Sequence, residues 1–169
     1  MNIFIRILNE DDAEMYRALR LTALKTNPEA FGSTYEREKQ FSIERIKQRI
    51  LPSEKRITLG AFNERNMLIG IVTFLRETNT KMQHKGHVLG LYVMADNRGQ
   101  GVAKRLLVET IELVKKWDGL EQINLTVVST NLSAIQVYSK LGFKVFGTEL
   151  KAMKYENQYF DEHLMVLFL

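Results

Sequence analysis

With 169 residues, of which 45% are hydrophobic and 26% charged, the chain has the composition of one globular domain with its own core. Its formal charge of +4 comes from 24 basic and 20 acidic residues that are scattered along the sequence. There is no cysteine, which excludes disulfides, thiolate metal sites and cysteine nucleophiles.

The sequence also lacks signals for a membrane or a nucleic acid. No apolar run reaches the roughly 20 residues that a membrane helix requires. The first residues lack the basic start and long apolar run of a signal peptide. A mild basic excess attracts anions, but no zinc-finger spacing or other nucleic-acid signature accompanies it. We therefore expect a single cytoplasmic domain over residues 1–169, with no nucleic-acid or membrane partner.

The first half of the chain predicts a strand, two helices and a hairpin. Asn9 suits the N-cap of the first helix, and the acidic residues that follow complement its dipole. The first helix ends near Pro28, and the second is stopped by Pro52. A polar turn at residues 63–66 between two apolar runs is typical of a hairpin. The predicted elements are a strand at residues 3–8, helices at about 9–27 and 43–50, and strands at 57–62 and 67–75.

The second half predicts a strand-helix-strand unit, a short helix and two closing strands. The strand at residues 87–94 is apolar almost throughout and is therefore expected to be central. Asn131 caps the short helix, and Gly142 stands where a left-handed C-cap belongs. The remaining predicted elements are a helix at about 101–116 and strands at 123–128, 143–150 and 163–169. This order predicts an α/β (α+β) fold with a mixed sheet.

The loop between the central strand and the long helix is the first candidate site. It consists of Arg98, Gly99, Gln100, Gly101, Val102 and Ala103. Glycines let the backbone approach a ligand, and the free N–H groups at a helix start bind anions such as pyrophosphate. A P-loop ending is missing, and Lys104 stands where a dinucleotide fingerprint needs a small residue. The loop alone leaves two interpretations open, a pyrophosphate site and a plain glycine-rich turn.

A second segment favours the ligand site. Residues 131–143 resemble the second signature of the GNAT acetyltransferase superfamily: Asn, then Ala three residues on, Tyr four further, and Gly-Phe at the helix end. The matching residues are Asn131, Ala134, Tyr138, Gly142 and Phe143. The loop resembles the superfamily's Gln/Arg-x-x-Gly-x-Gly/Ala motif at Arg98, Gly101 and Ala103. Both motifs occur in the family's order, and the resemblance is clearest over residues 57–143.

The resemblance implies a mixed, mostly antiparallel central sheet, flanked by helices, whose splayed central strands bind acetyl-CoA. The pyrophosphate would lie on the loop amides, from Arg98 to Ala103. The pantetheine arm would pair with the preceding strand at Leu91, Tyr92 and Val93, since its amides need backbone partners. Asn131 would cap its helix and, with Ser133, reach the cofactor.

The resemblance also implies roles in acetyl transfer. Tyr138 matches the family's general acid, which would protonate or hydrogen-bond the leaving thiolate; its alternative role is a core tyrosine. The Leu91 amide would donate to the oxyanion. His87 stands where many histone-type members carry a Glu base, and imidazole accepts a proton near neutral pH; alternatively it is the polar start of the strand. The further base candidates are Glu36, Glu77 and Tyr35.

The sequence therefore predicts an N-acetyltransferase that moves an acetyl group from acetyl-CoA to a primary amine by direct attack in a ternary complex. No metal is expected, because His84 and His87 would face opposite sides of a strand. The alternative is an inactive CoA-binding sensor, against which Tyr138 argues. The identity of the amine acceptor is left open, because residues 31–40 and 78–86, which would form its pocket, contain no recognisable binding motif. The resemblance also suggests a homodimer formed through the last strands, as is common in the family.

Overall fold

The computed structural model describes residues 2–169, with seven strands, five α-helices and three short 3-10 helices in that range. The strands are β1 (Phe4–Ile7), β2 (Arg56–Phe62), β3 (Leu68–Arg76), β4 (Lys85–Val93), β5 (Gln122–Val128), β6 (Lys144–Tyr155) and β7 (Gln158–Phe168). The α-helices are α1 (Ala13–Thr26), α2 (Tyr35–Glu38), α3 (Ile43–Ile50), α4 (Val102–Val114) and α5 (Leu132–Lys140). Within the described range, no helix has the length and apolar character needed to cross a bilayer.

The seven strands form one sheet in the order β1-β2-β3-β4-β5-β7-β6. Every neighbouring pair is antiparallel except β4 and β5, which run parallel. A parallel pair needs a crossover connection, and α4 supplies it. This topology confirms the predicted mixed, mostly antiparallel sheet flanked by helices.

Helices cover both faces of the sheet because the strands alternate their apolar side chains between the two faces. On one face α4 contributes the fully buried Leu106 and Leu107 to the larger core cluster. On the other face α1 and α3 pack a second cluster around Ile46 and Ile50. The isoleucines of α3 recur every three or four residues and so share one side of the helix. Ser42 begins this helix by accepting a hydrogen bond from the Arg45 N–H.

The two central strands pair for only a short distance. The β4–β5 register covers three pairs, Lys85 with Gln122, Gly86 with Ile123, and His87 with Asn124. Beyond them β4 continues to residue 93 and β5 to residue 128 without pairing to each other. Gly90 lies in the left-handed region with φ of +62°, next to an irregularity in the β3–β4 register. The strands therefore separate from residue 88 onward.

The closing hairpin is longer than the sequence predicted. β6 reaches Tyr155 and β7 begins at Gln158, whereas strands were expected only at residues 143–150 and 163–169. The connecting residues Glu156 and Asn157 have φ of 45° and 62°, as tight hairpin turns require. The missing stretch is mostly exposed and polar, so its pairing comes from the backbone and leaves no apolar pattern to find.

Candidate active site

The separation of β4 and β5 opens a cleft of about 340 Å³. Its strand walls are residues 88–91 and 126–128, and Asn131 and Tyr138 line it from the α5 side. Side chains from the α1 and α3 face, among them Arg20, line it as well. The cleft therefore connects both faces of the sheet, and its volume lies within the range of small-molecule sites.

The glycine loop at the start of α4 leaves backbone N–H groups free. Gly99 and Gly101 have φ of +75° and +78°, and a Cβ on either would meet nothing within 4 Å. Among residues 2–169, no group accepts a hydrogen bond from the N–H of Gly99, Gln100 or Gly101. The N–H groups of the first turn of α4, from Val102 onward, follow directly. Free amides at a helix start form an anion-binding surface.

Arg98 positions this loop from within. Its Nε donates to the carbonyl oxygen of Val93 at 2.9 Å, and its Nη2 donates to Asn27 Oδ1 at 2.8 Å. Its own N–H is already bonded to the Ala95 carbonyl, so the free amides begin at Gly99. The side chain of Tyr92 is buried against α1, where its hydroxyl lies 3.0 Å from Thr26 Oγ1. Tyr92 can therefore meet a ligand in the cleft only through its backbone.

Tyr138 brings a buried phenol to the cleft wall. Only 6% of the residue is exposed, and its ring lies edge-on to Phe143 with 5.9 Å between centroids. Burial raises the pKa of Tyr138 to about 12, so its hydroxyl is protonated at neutral pH and can donate a hydrogen bond.

Asn131 is the N-cap of α5, as the sequence predicts. Its Oδ1 accepts hydrogen bonds from the Ala134 N–H at 3.3 Å and the Ser133 hydroxyl at 3.1 Å. Asn131 lines the cleft, whereas Ser133 is exposed and lies outside the lining. The cap thus holds the start of α5, and with it Tyr138, in a fixed position beside β5.

His87 lies at the closed end of the splay. Its Nε2 is 2.8 Å from Glu77 Oε1, and about a third of each side chain is exposed. His87 is in register with Leu75 and Leu75 with Arg56, so the three share one face of the sheet. The cleft lining begins one residue later, at residue 88. The structure therefore gathers Leu91, Asn131 and Tyr138 around the cleft and leaves His87 beside it, and its role as the base stays a prediction.

Glu162 is a carboxylate in the cleft that the sequence interpretation missed. It lies on β7 opposite Val128 of β5 and lines the cleft that Tyr138 also lines. Burial, together with the charge of Glu149, raises the pKa of Glu162. No local motif marks this position, because only the β5–β7 register brings it to the cleft.

A buried ion-pair cluster on the α1 and α3 face was also missed. Arg20 donates from Nε and Nη2 to the two carboxylate oxygens of Glu38, at 3.0 and 2.9 Å. Arg49 donates from Nη1 to Glu38 Oε2 at 3.0 Å. Burial works to raise the pKa of Glu38, but the hydrogen bond and charge of Arg20 and the charge of Arg49 outweigh it and hold the pKa below its ordinary value. Glu38 therefore stays ionised with only 2% of its surface exposed.

A third guanidinium joins this cluster without a carboxylate of its own. Arg56 Nη1 donates to the Arg49 carbonyl at 3.3 Å, and Arg56 Nε is buried with no hydrogen-bond partner among the described residues. The charges of Arg49, Arg20 and Arg56 all act to lower the pKa of the neighbouring Tyr16, against the larger effect of burial, which raises it. The three cations therefore lie close together, and two of them contact the one anion, Glu38.

Among residues 2–169, no group of three or more His, Asp or Glu side chains is arranged to hold a metal ion.

Comparisons with known proteins agree with this architecture. The model of the acetyltransferase (GNAT) domain matches residues 5–164. The chain is 36% identical to the L-amino acid N-acetyltransferase AaaT of Escherichia coli K12 over 83 residues, which cover 48% of this chain and 51% of that protein. It is 34% identical to an N-alpha-acetyltransferase of Sulfurisphaera tokodaii over 71 residues, which cover 42% and 40%. The chain spans about half the length of the curated relatives it matches, or less.

Solved structures match over nearly the whole chain. The crystal structure of an acetyltransferase of the GNAT family from Streptococcus pneumoniae superposes with a TM-score of 0.88 at 25% identity, covering 99% of this chain and 100% of that one. A putative acetyltransferase, yncA from Salmonella typhimurium, solved with its cofactor acetyl-CoA, gives 0.84 at 18% identity, with 100% and 95% covered. The second match supports the fold alone.

Proposed function

This chain belongs to the GNAT acetyltransferase family, and we propose that it transfers an acetyl group from acetyl-CoA to a primary amine by direct attack in a ternary complex. The observation that supports this best is the cleft between β4 and β5, which the buried phenol of Tyr138 lines, together with the loop of free amides that follows β4 in the chain. The amides suit a pyrophosphate and the phenol suits a leaving thiolate, which are the two chemical features of this donor.

The donor would lie along the unpaired edge of β4. The phosphates fit the N–H groups of Gly99, Gln100 and Gly101, which no other described residue uses. The pantetheine amides require backbone partners, and the chain from Leu91 to Val93 has no β5 neighbour there. Leu91 lines the cleft, so its N–H is our candidate donor to the oxyanion that forms on the thioester carbonyl.

Tyr138 would assist departure of the sulfur. The amine nitrogen bonds to the carbonyl carbon, the C–S bond breaks, and a proton released by the amine ends on the thiol of CoA. The phenol has a pKa of about 12. Because a thiol has a reference pKa near 8.5, full proton transfer from the phenol to the free thiolate is uphill by about 5 kcal/mol. We therefore assign Tyr138 chiefly the role of a hydrogen-bond donor to the developing thiolate.

The amine must also lose a proton, because a lysine-like amine is neutral in only about one molecule in 2,500 at pH 7. Glu162 is one candidate base, since it lines the cleft and its raised pKa makes it more basic than an ordinary carboxylate. His87 is the other, since it occupies the family's base position and Glu77 would orient its ring.

The variants Glu162→Gln and His87→Gln decide between the two bases. The variant that removes the base should lower kcat/KM at neutral pH by about 100-fold and erase the acidic limb of the pH profile. The other variant should stay within about threefold of wild type. If both stay there, neither residue is the base.

Free-thiol release from acetyl-CoA across an amine panel tests the proposed function. The relatives' names suggest its members, which are L-amino acids and peptides with a free α-amine, with polyamines for breadth. We expect release with at least one class, together with an acetylated product of the matching mass. Stabilisation by CoA in a thermal shift, without release on any amine, would instead indicate the inactive CoA-binding sensor.

A further inference from the structure

The positive charge around Glu38 exceeds what Glu38 can neutralise. Arg20 and Arg49 contact this one carboxylate and Arg56 contacts the Arg49 backbone, so the three guanidiniums leave a surplus of two positive charges. Glu162 also lines the cleft, but it lies on β7, three strands away from β3 and four from β2, where Arg56 lies. Burial and the charge of Glu149 raise the pKa of Glu162, and no arginine is among the causes, so Glu162 does not neutralise the cluster.

The unsatisfied donors belong to two of the arginines. Arg20 is buried and donates two of its N–H groups to the two carboxylate oxygens of Glu38. Arg49 donates only from Nη1 to Glu38, and a third of its side chain is exposed. Arg56 donates only from Nη1, to the Arg49 carbonyl, and its buried Nε donates to no described group. Both Arg49 and Arg56 line the cleft, so a molecule bound there can reach their remaining terminal N–H groups, but not the buried Nε of Arg56.

We propose that the acceptor amine carries a carboxylate, which Arg49 and Arg56 bind on the α1 and α3 side of the cleft. A guanidinium presents its donors in a planar fork that matches the two oxygens of a carboxylate. The inference rests on the proposed function, because it concerns the second substrate of that reaction.

The cluster lies close to where the amine has to react. A Cβ built on Gly90, at the start of the splay, would lie 3.7 Å from Arg20 Nη1. Arg20 shares Glu38 with Arg49, and the Arg49 carbonyl holds Arg56, so one continuous set of contacts leads from β4 to both binding arginines. The cleft of about 340 Å³ suits a small molecule. The proposed acceptor is therefore one small molecule that carries both the amine and the carboxylate.

Acceptors in which a carboxamide replaces the carboxylate test the proposal, with each rate expressed per neutral amine, because the amide lowers the pKa of the nearby amine. We would measure thiol release with α-, β- and γ-amino carboxylates and with the carboxamide of each. Wild type should prefer the best carboxylate over its amide by about 10- to 100-fold in kcat/KM, as expected for hydrogen bonds between charged groups. The length that shows the largest ratio measures the distance between the reacting carbon and the arginines.

Substitutions identify the arginines responsible. Arg56→Gln should reduce the carboxylate-to-amide ratio to within about threefold, and Arg56→Lys should retain part of it. The control is Arg17→Gln, because Arg17 Nε is also buried without a partner but Arg17 does not line the cleft; its ratio should match wild type. Circular dichroism melting confirms that each variant is folded. Equal rates for carboxylate and amide in wild type, or a ratio that survives Arg56→Gln, would overturn the proposal.

Binding separates this proposal from the proposed function. Calorimetric titration of the CoA-loaded protein with the same amino carboxylate should give binding at least tenfold tighter than with its amide. If no amine is acetylated but this difference is present, the proposed function fails and the carboxylate site stands. If amines are acetylated and the difference is absent, the carboxylate site fails alone.

Discussion

The two binding sites that we propose, a donor end and an acceptor end, are built from different parts of the chain. The proposed donor end is backbone: the free amides of residues 99–101 and the unpaired edge of β4. The proposed acceptor end is charged side chains: Arg20 from α1, Arg49 from α3 and Arg56 from β2, in one cluster with Glu38. Backbone recognises a feature that every CoA thioester shares, whereas side chains can change one at a time. The difference separates what this fold keeps constant from what it can adapt.

The largest effect is expected at the donor end, from Gly101→Glu. Gly101 has φ of +78° and precedes α4, so a glutamate there strains the turn and sets a negative charge beside the phosphates. Opposed like charges cost several kcal/mol, so CoA affinity should fall at least about a thousandfold, measured by calorimetry. Gly119→Glu is the control, because Gly119 has φ of +69° but lies beyond the other end of α4. Unchanged CoA affinity in Gly101→Glu would refute the loop as the phosphate site.

At the acceptor end, the largest effect is expected from Glu38→Gln. This change leaves Arg20 buried without its anion, which should lower the free energy of unfolding by about 3–5 kcal/mol in a denaturant titration. Glu36→Gln is the control two residues away, since the Glu36–Lys39 pair is exposed and screened by solvent, so its loss should leave the free energy of unfolding nearly unchanged.

Acidification gives an independent measure of the same contact. Because the pKa of Glu38 is lower in the folded chain than its ordinary 4.5, its contribution is complete above about pH 4.5. It is lost as the pH falls from there through the folded pKa. Wild type should therefore lose more stability across this window than Glu38→Gln. Equal losses would show that Glu38 contributes no stability through its charge.

A smaller effect is expected where the two ends meet, from Tyr138→Phe. The change removes the hydroxyl and keeps the ring that packs on Phe143, so folding should be little affected. We expect kcat to fall about 100-fold and the KM for acetyl-CoA to stay within about twofold. Tyr159→Phe, at an exposed tyrosine on β7, should leave both constants unchanged. A normal kcat in Tyr138→Phe would reduce Tyr138 to a packing residue.

The same contrast explains what the sequence could predict. The donor loop and the α5 segment are continuous in the chain, and each follows from local rules: glycines at positive φ, a helix start, an asparagine cap. The acceptor arginines come from three elements spread over residues 20–56, and each alone looks like an ordinary surface cation. Only the packing of α1 and α3 on β2 and β3 brings them together.

Strand register explains the remaining differences. Glu162 reaches the cleft because β7 pairs with β5, a long-range contact that no local pattern encodes. The pairing of β6 with β7 extends the closing hairpin through a polar stretch. For His87, the family motif predicted only a position on β4. Whether that position faces the substrate depends on where β4 and β5 separate. They separate at the next residue, so His87 lies beside the cleft.

Because β4 and β5 are joined by only three residue pairs, hydrogen exchange can show whether the cleft is occupied. Amide hydrogens on the free edge of residues 88–93 exchange with solvent water, because no neighbouring strand shields them. A donor arm lying in the gap takes the place of that missing neighbour and slows their exchange. The fully paired amides between β5 and β7 do not change, so they serve as an internal reference. Hydrogen exchange along the free edge of β4 would therefore report donor binding without an attached probe.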